Sequence, residues 1–118
     1  MDQFQAAREG NLEWFKTNNY DIDKIEQVSG GRTVLIIASS ENHKELCLYL
    51  LSQGASVDAC DGYGTALCHA TMRNHGEIAE ILISHGANVC PNPETDMTPL
   101  TDACYNGDEK LCSLLLSK

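Results

Sequence analysis

The sequence predicts a solenoid, a fold of stacked short repeats, and three observations predict it. The segment Leu35-Ile-Ile-Ala38 returns 32 residues on as Leu67-Cys-His-Ala70 and 33 residues later as Leu100-Thr-Asp-Ala103, with Thr33, Thr65 and Thr98 two places before each Leu. Each copy is followed by an apolar block: Leu46-Cys-Leu-Tyr-Leu-Leu51, Ile78-Ala-Glu-Ile-Leu-Ile83 and Leu111-Cys-Ser-Leu-Leu-Leu116. Two of the blocks are closed by Gly-Ala-x-Val, at Gly54–Val57 and Gly86–Val89. Self-similarity at such a period marks units that bury their apolar faces only against one another.

These tags resemble the ankyrin repeat: Thr-Pro-Leu-His-x-Ala, then Gly-His, a Leu-Leu helix, and Gly-Ala-Asp-Val-Asn. The resemblance covers essentially the whole chain. It implies an all-α fold, an ankyrin-repeat solenoid of stacked helix-turn-helix units with projecting hairpin-like loops. It also implies a single domain, 1–118, divided at about residues 1–27, 28–60, 61–92 and 93–118. The first unit is a divergent cap: Phe4–Gly10 resembles a first helix, Asn11–Phe15 starts a second that turns polar at Thr17, and Tyr20–Asp23 is a decayed Gly-Ala-Asp-Val.

Each element then has a physical reason. Thr33, Thr65 and Thr98 are placed as helix N-caps, and Pro99 fits the first helical position, where no N–H is needed. Ala38, Ala70 and Ala103 are small enough for helices to approach closely. Asn42, Asn74 and Gly107 end the first helices, because Gly and then Asn enter the left-handed region most readily; Gly54 and Gly86 do so for second helices. Gly62 and Gly64 supply the turn of the loop before Thr65, and Pro91 and Pro93 stiffen the next loop. The family's His after Leu is replaced by Phe4, Ile36, Cys68 and Thr101, which removes the Thr–His hydrogen bond from every unit. Asp102 stands where the second unit has Ile37, and with Glu109 it reads as a solvent-facing cap. Against this, Leu114, Leu115 and Leu116 stop where Gly-Ala would follow, which suggests truncation from a longer array or a partner covering the end; a monomer or weak end-to-end association is expected.

The net charge of −9, from 17 acidic and 8 basic residues, argues against nucleic acid or an anionic membrane surface as partner. A protein partner with a basic patch is compatible with it. The sequence has no apolar run of ~20 residues and no secretory start. An intracellular, cytoplasmic protein with reduced thiols is therefore expected. No Cys-x-x-Cys, Ser-His-Asp, Gly-x-Ser-x-Gly or phosphate loop occurs, so neither enzyme activity, metal nor cofactor is expected.

Cys47, Cys104 and Cys112 fall at repeat positions that read as small packed sites. His43 and His75 match the family's His at the start of the second helix; His85 ends a helix, and His69 takes a packing position. The alternative to this structural reading is a metal or redox sensor using the loop residues Cys60 and Cys90.

The family resemblance implies a non-catalytic protein-interaction module that binds through its concave face. By position, that face takes Arg8, Glu9, Ser40, Glu41, Met72, Arg73, Tyr105 and Asn106 from the first helices. From the loops it takes Gln27, Val28, Arg32, Asp61, Tyr63, Glu94, Thr95 and Met97. Aromatic residues, Met and Arg are the types enriched at interfaces. A secondary resemblance, carried by the four-unit layout, Gly30-Gly31-Arg32 and Leu114–Lys118, is to small stand-alone ankyrin proteins of the myotrophin type, which inhibit actin capping protein.

Overall fold

The computed structural model describes residues 2–24, 31–61, 64–88 and 99–117, except the Leu100 side chain. Among these residues there are eight helices. They are α1 (Gln3–Glu9), α2 (Leu12–Thr17), α3 (Val34–Ser40), α4 (Lys44–Ser52), α5 (Ala66–Met72), α6 (Gly76–Ser84), α7 (Pro99–Tyr105) and α8 (Glu109–Leu116). The first helix of every pair has 7 residues. Such short helices are not stable alone in water, so packing and caps must hold them.

The caps are those the tags specify. Thr33 Oγ1 accepts from the Ile36 N–H at 3.3 Å and Thr65 Oγ1 from the Cys68 N–H at 3.4 Å; Thr98 lies outside the described residues. In the first unit Asp2 caps α1 through the Gln5 N–H. Pro99 is the first residue of α7. Each pair turns on a residue with positive φ: Gly10 at 68°, Asn42 at 65°, Asn74 at 62° and Gly107 at 75°.

First helices pack on first helices in the order α1, α3, α5, α7, and second helices follow as α2, α4, α6, α8, giving two layers. Small residues line the approach between pairs: Ala6, Ala38, Ala70 and Ala103 are all buried. The second layer contributes Leu46, Cys47 and Leu50 from α4, Ile78, Ala79 and Leu82 from α6, and Leu111 and Leu115 from α8. At the first unit α2 has only 6 residues. An aromatic cluster takes over there, with Phe15 edge-on to Trp14 at 5.2 Å and to Tyr20 at 4.9 Å between ring centres.

Histidine stitches successive units. His43 Nε2 lies 2.8 Å from the Arg8 carbonyl oxygen, and His75 Nε2 lies 3.1 Å from that of Ser40. The fourth unit has Asp108 at this place, which caps α8 through the Leu111 N–H. There Asn106 makes the inter-unit bond instead, donating from Nδ2 to the Thr71 carbonyl at 3.1 Å. Gly10 is required by the first stitch, because a Cβ there would stand 2.6 Å from His43 Nδ1.

Two expectations are corrected. Asp102 does not face solvent: it is buried, with Oδ2 3.4 Å from the Thr71 hydroxyl. Burial holds its carboxyl above the usual 3.8, and the Thr71 contact opposes the shift. Cys104, in turn, is exposed rather than packed. Its row holds the buried Ser39 in α3 and Thr71 in α5, where a following first helix covers it.

Candidate partner-binding surface

The last two residues before each left-handed turn form a row along the first-helix layer: Arg8-Glu9, Ser40-Glu41, Met72-Arg73 and Tyr105-Asn106. Residue size governs what emerges from it. Ser40 is 2% exposed, Met72 45% and Tyr105 91%. Ser40 was expected on the surface, but its short side chain stays inside, where His75 holds its carbonyl. Glu9, Glu41, Arg73 and Asn106 are exposed, and Arg8 is half-buried.

The loop residues divide in the same way. Asp61 is no surface acid: its side chain is fully enclosed. Its Oδ2 lies 2.9 Å from His69 Nε2 and 3.3 Å from Arg32 Nε, while Oδ1 accepts from the Gly64 N–H at 3.0 Å. Asp61 therefore ties the loop before α5 both to α5 and to the preceding unit. The two ends of the loop pair antiparallel, with Cys60 bridged to Thr65 and the Asp61 N–H donating to the Gly64 carbonyl at 3.0 Å. Burial pushes the His69 pKa below 6.5, and the Asp61 charge opposes this. Sequence reasoning placed His69 correctly as a packing residue but missed this network. No local tag announced it, because Arg32 of the preceding unit and His69 of α5 meet Asp61 only in the folded chain.

Arg32 is half-buried on the Asp61 carboxylate. Gln27, Val28, Tyr63, Glu94, Thr95 and Met97 lie outside the described residues, as do Gly62, Cys90, Pro91 and Pro93. Cys60 is exposed. Among the described residues no three of His, Cys, Asp and Glu gather in a metal-binding group. A groove of about 340 Å³ between α2 and α4 is lined by aromatic rings and side-chain amides, including Phe15, Asn18, Tyr20 and Tyr49. No described helix is long and apolar enough to cross a membrane.

The remaining histidine and the inner cysteine make structural contacts. His85 caps α6, with Nδ1 2.9 Å from the Ile81 carbonyl oxygen. Cys47 is enclosed beside Ser39 Oγ at 3.5 Å, and burial pushes its thiol up to about 11.

No curated protein matches the chain. The family model for ankyrin repeats (3 copies) matches residues 4–93 and again 60–118. With the two matches spanning nearly every residue and the paired helices stacked in two layers, the chain belongs to the ankyrin-repeat family.

Proposed function

We propose that this ankyrin-repeat protein binds a protein partner through the row of first-helix ends and the adjoining loops, without catalysis. Ankyrin repeats are in general protein-interaction modules and non-catalytic. The observation that carries the choice of surface is Tyr105. Among the described aromatic side chains it alone is exposed, at 91%, and it stands in the same row as the half-exposed Met72. An aromatic anchor beside Met and Arg is the usual composition of a binding hot spot.

In this reading Met72, Arg73, Tyr105 and Asn106 form the centre. Arg8, Glu9, Glu41 and Arg32 extend it along the row. Tyr63, Glu94 and Met97 belong to it by repeat position. Ser40 and Asp61 act from within, the first by leaving room for the stitch from His75, the second by fixing the loop. The acidic balance favours a partner with a basic patch and speeds encounter more than it tightens the complex.

Affinity capture from the source cell tests the reading, with wild type compared against Met72→Ala/Arg73→Ala/Tyr105→Ala. Loss of the captured partner by a folded triple variant is expected. Unchanged capture would place binding elsewhere. Purified actin capping protein, included as a bait, tests the myotrophin-like alternative: capture of it that the triple variant loses would identify this partner.

A further inference from the structure

We propose that Cys104 and Cys112 form a reactive dithiol that closes to a disulfide when it meets a small disulfide oxidant such as oxidised glutathione. The two sulfurs lie 3.0 Å apart across the α7–α8 turn. A disulfide bond is about 2.05 Å long, so closure requires an approach of only about 1 Å. Solvent reaches both: Cys104 is exposed and Cys112 half-buried.

The repeat itself shows what is particular here. Residues eight apart face one another across the turn, and in α3–α4 these are Ser39 and Cys47, 3.5 Å apart and buried. In α5–α6 they are Thr71 and Ala79, also buried. In α7–α8 the same two positions carry two sulfurs, and the row that is covered elsewhere is open.

The chemistry balances with the oxidant named. The Cys104 thiolate attacks one sulfur of oxidised glutathione, forming a mixed disulfide and releasing one glutathione thiolate. The Cys112 thiolate then attacks the Cys104 sulfur, forming the internal disulfide and releasing the second. The protein loses two thiol protons and two electrons, and the oxidant is reduced to two glutathione molecules. Cys104 leads because it is the more exposed residue of the two. The hydrogen bond with Cys104, with burial second, pushes the Cys112 thiol up to about 11. The proposal does not depend on the partner-binding reading.

The test uses the reduced full chain incubated with oxidised glutathione, then digested by trypsin together with a protease that cuts before aspartate. Cleavage at Asp102, Asp108 and Lys110 isolates Cys104 from Cys90 and Cys112. A disulfide-linked pair of peptides 102–107 and 111–118 is expected, forming roughly tenfold faster than any other pairing because the thiols are preplaced. It should vanish in Cys104→Ser and in Cys112→Ser, and reverse with excess thiol. Serine occupies the position of Cys104 in α3, and alanine that of Cys112 in α6, so both places accept a small side chain; circular dichroism checks that the variants retain the fold. A trivalent arsenical, phenylarsine oxide, reads the same pair without oxidation, bridging two thiols with loss of water. Recovery of Cys104 and Cys112 only as separate glutathione adducts, or only in intermolecular disulfides, would overturn the proposal. So would arsenical binding indifferent to both serine variants.

Discussion

The second unit and the fourth share one backbone plan and use it in opposite ways. In α3 every residue from Val34 to Ser40 is buried, while α7 exposes Thr101, Cys104 and Tyr105. Ile37 and Asp102 occupy the same position, as do Ser39 and Cys104, and Ser40 and Tyr105. The helix of the second unit is enclosed between α1 and α5, so its side chains serve packing. Among the described helices the first-helix row reaches α7 after α5, and there Cys104 and Tyr105 meet water while Asp102 stays buried. Repeat position thus fixes where a side chain points, and its size together with the neighbouring unit decides whether it is framework or surface.

Placing the fourth unit's residue in the second is the strongest way to break this contrast. Ile37→Asp removes a fully enclosed apolar side chain and buries an unpaired charge, and should destabilise the fold by about 4 kcal/mol or more. Urea unfolding followed by circular dichroism measures it; a loss below about 1 kcal/mol would mean that the second unit is no better covered than the fourth.

The left-handed turns give a medium effect at matched backbone geometry. Gly10→Ala meets both the strain of φ 68° and the His43 ring, whereas Gly107→Ala meets only the strain of φ 75°, with no atom within 4 Å of the added Cβ. Losses of about 2 and about 1 kcal/mol are expected. Equal losses would show that the histidine stitch contributes nothing.

The smallest effect has the opposite sign. The carboxyl of Asp102 has its folded pKa raised by burial. Its favourable contribution is therefore complete below the unfolded value near 3.8 and is lost as pH rises through the raised folded value. Asp102→Asn keeps the acceptor beside Thr71 without the charge, and should stabilise the protein at pH 7 by about 0.5–1 kcal/mol. The gain should shrink toward zero near pH 3. A gain independent of pH would assign the effect to something other than ionisation.

What the sequence made legible was everything carried by a local tag. Thr33 and Thr65 cap because a hydroxyl three residues before a free N–H has one favourable geometry, and Asn42, Asn74 and Gly107 turn because few residues accept positive φ. Pro99 begins its helix for the same kind of reason. Burial at the fourth unit was not legible. Asp102 is enclosed because Thr71, 31 residues away, packs over it, and no property of Asp102 announces that. Cys104 resembles Ser39 in size and register, yet one is open and the other covered. In the candidate surface the same limit explains Ser40 and Asp61: register put them along the candidate row and its loop, but side-chain length and an ion pair with Arg32 drew them inside. The Cys104–Cys112 pair could have been found from the offset of eight residues that recurs in every unit.

We propose that the exposed row of first-helix ends, and not the second-helix layer, recognises the partner. The most direct test is the dissociation constant of the captured partner for wild type, for Met72→Ala/Tyr105→Ala, and for Leu48→Ala. Leu48 is a comparably exposed apolar residue, at 40%, on α4 in the other layer. The row variant is expected to weaken binding roughly tenfold or more while Leu48→Ala leaves it within about twofold. Wild-type affinity in the row variant, with a loss in Leu48→Ala, would contradict it.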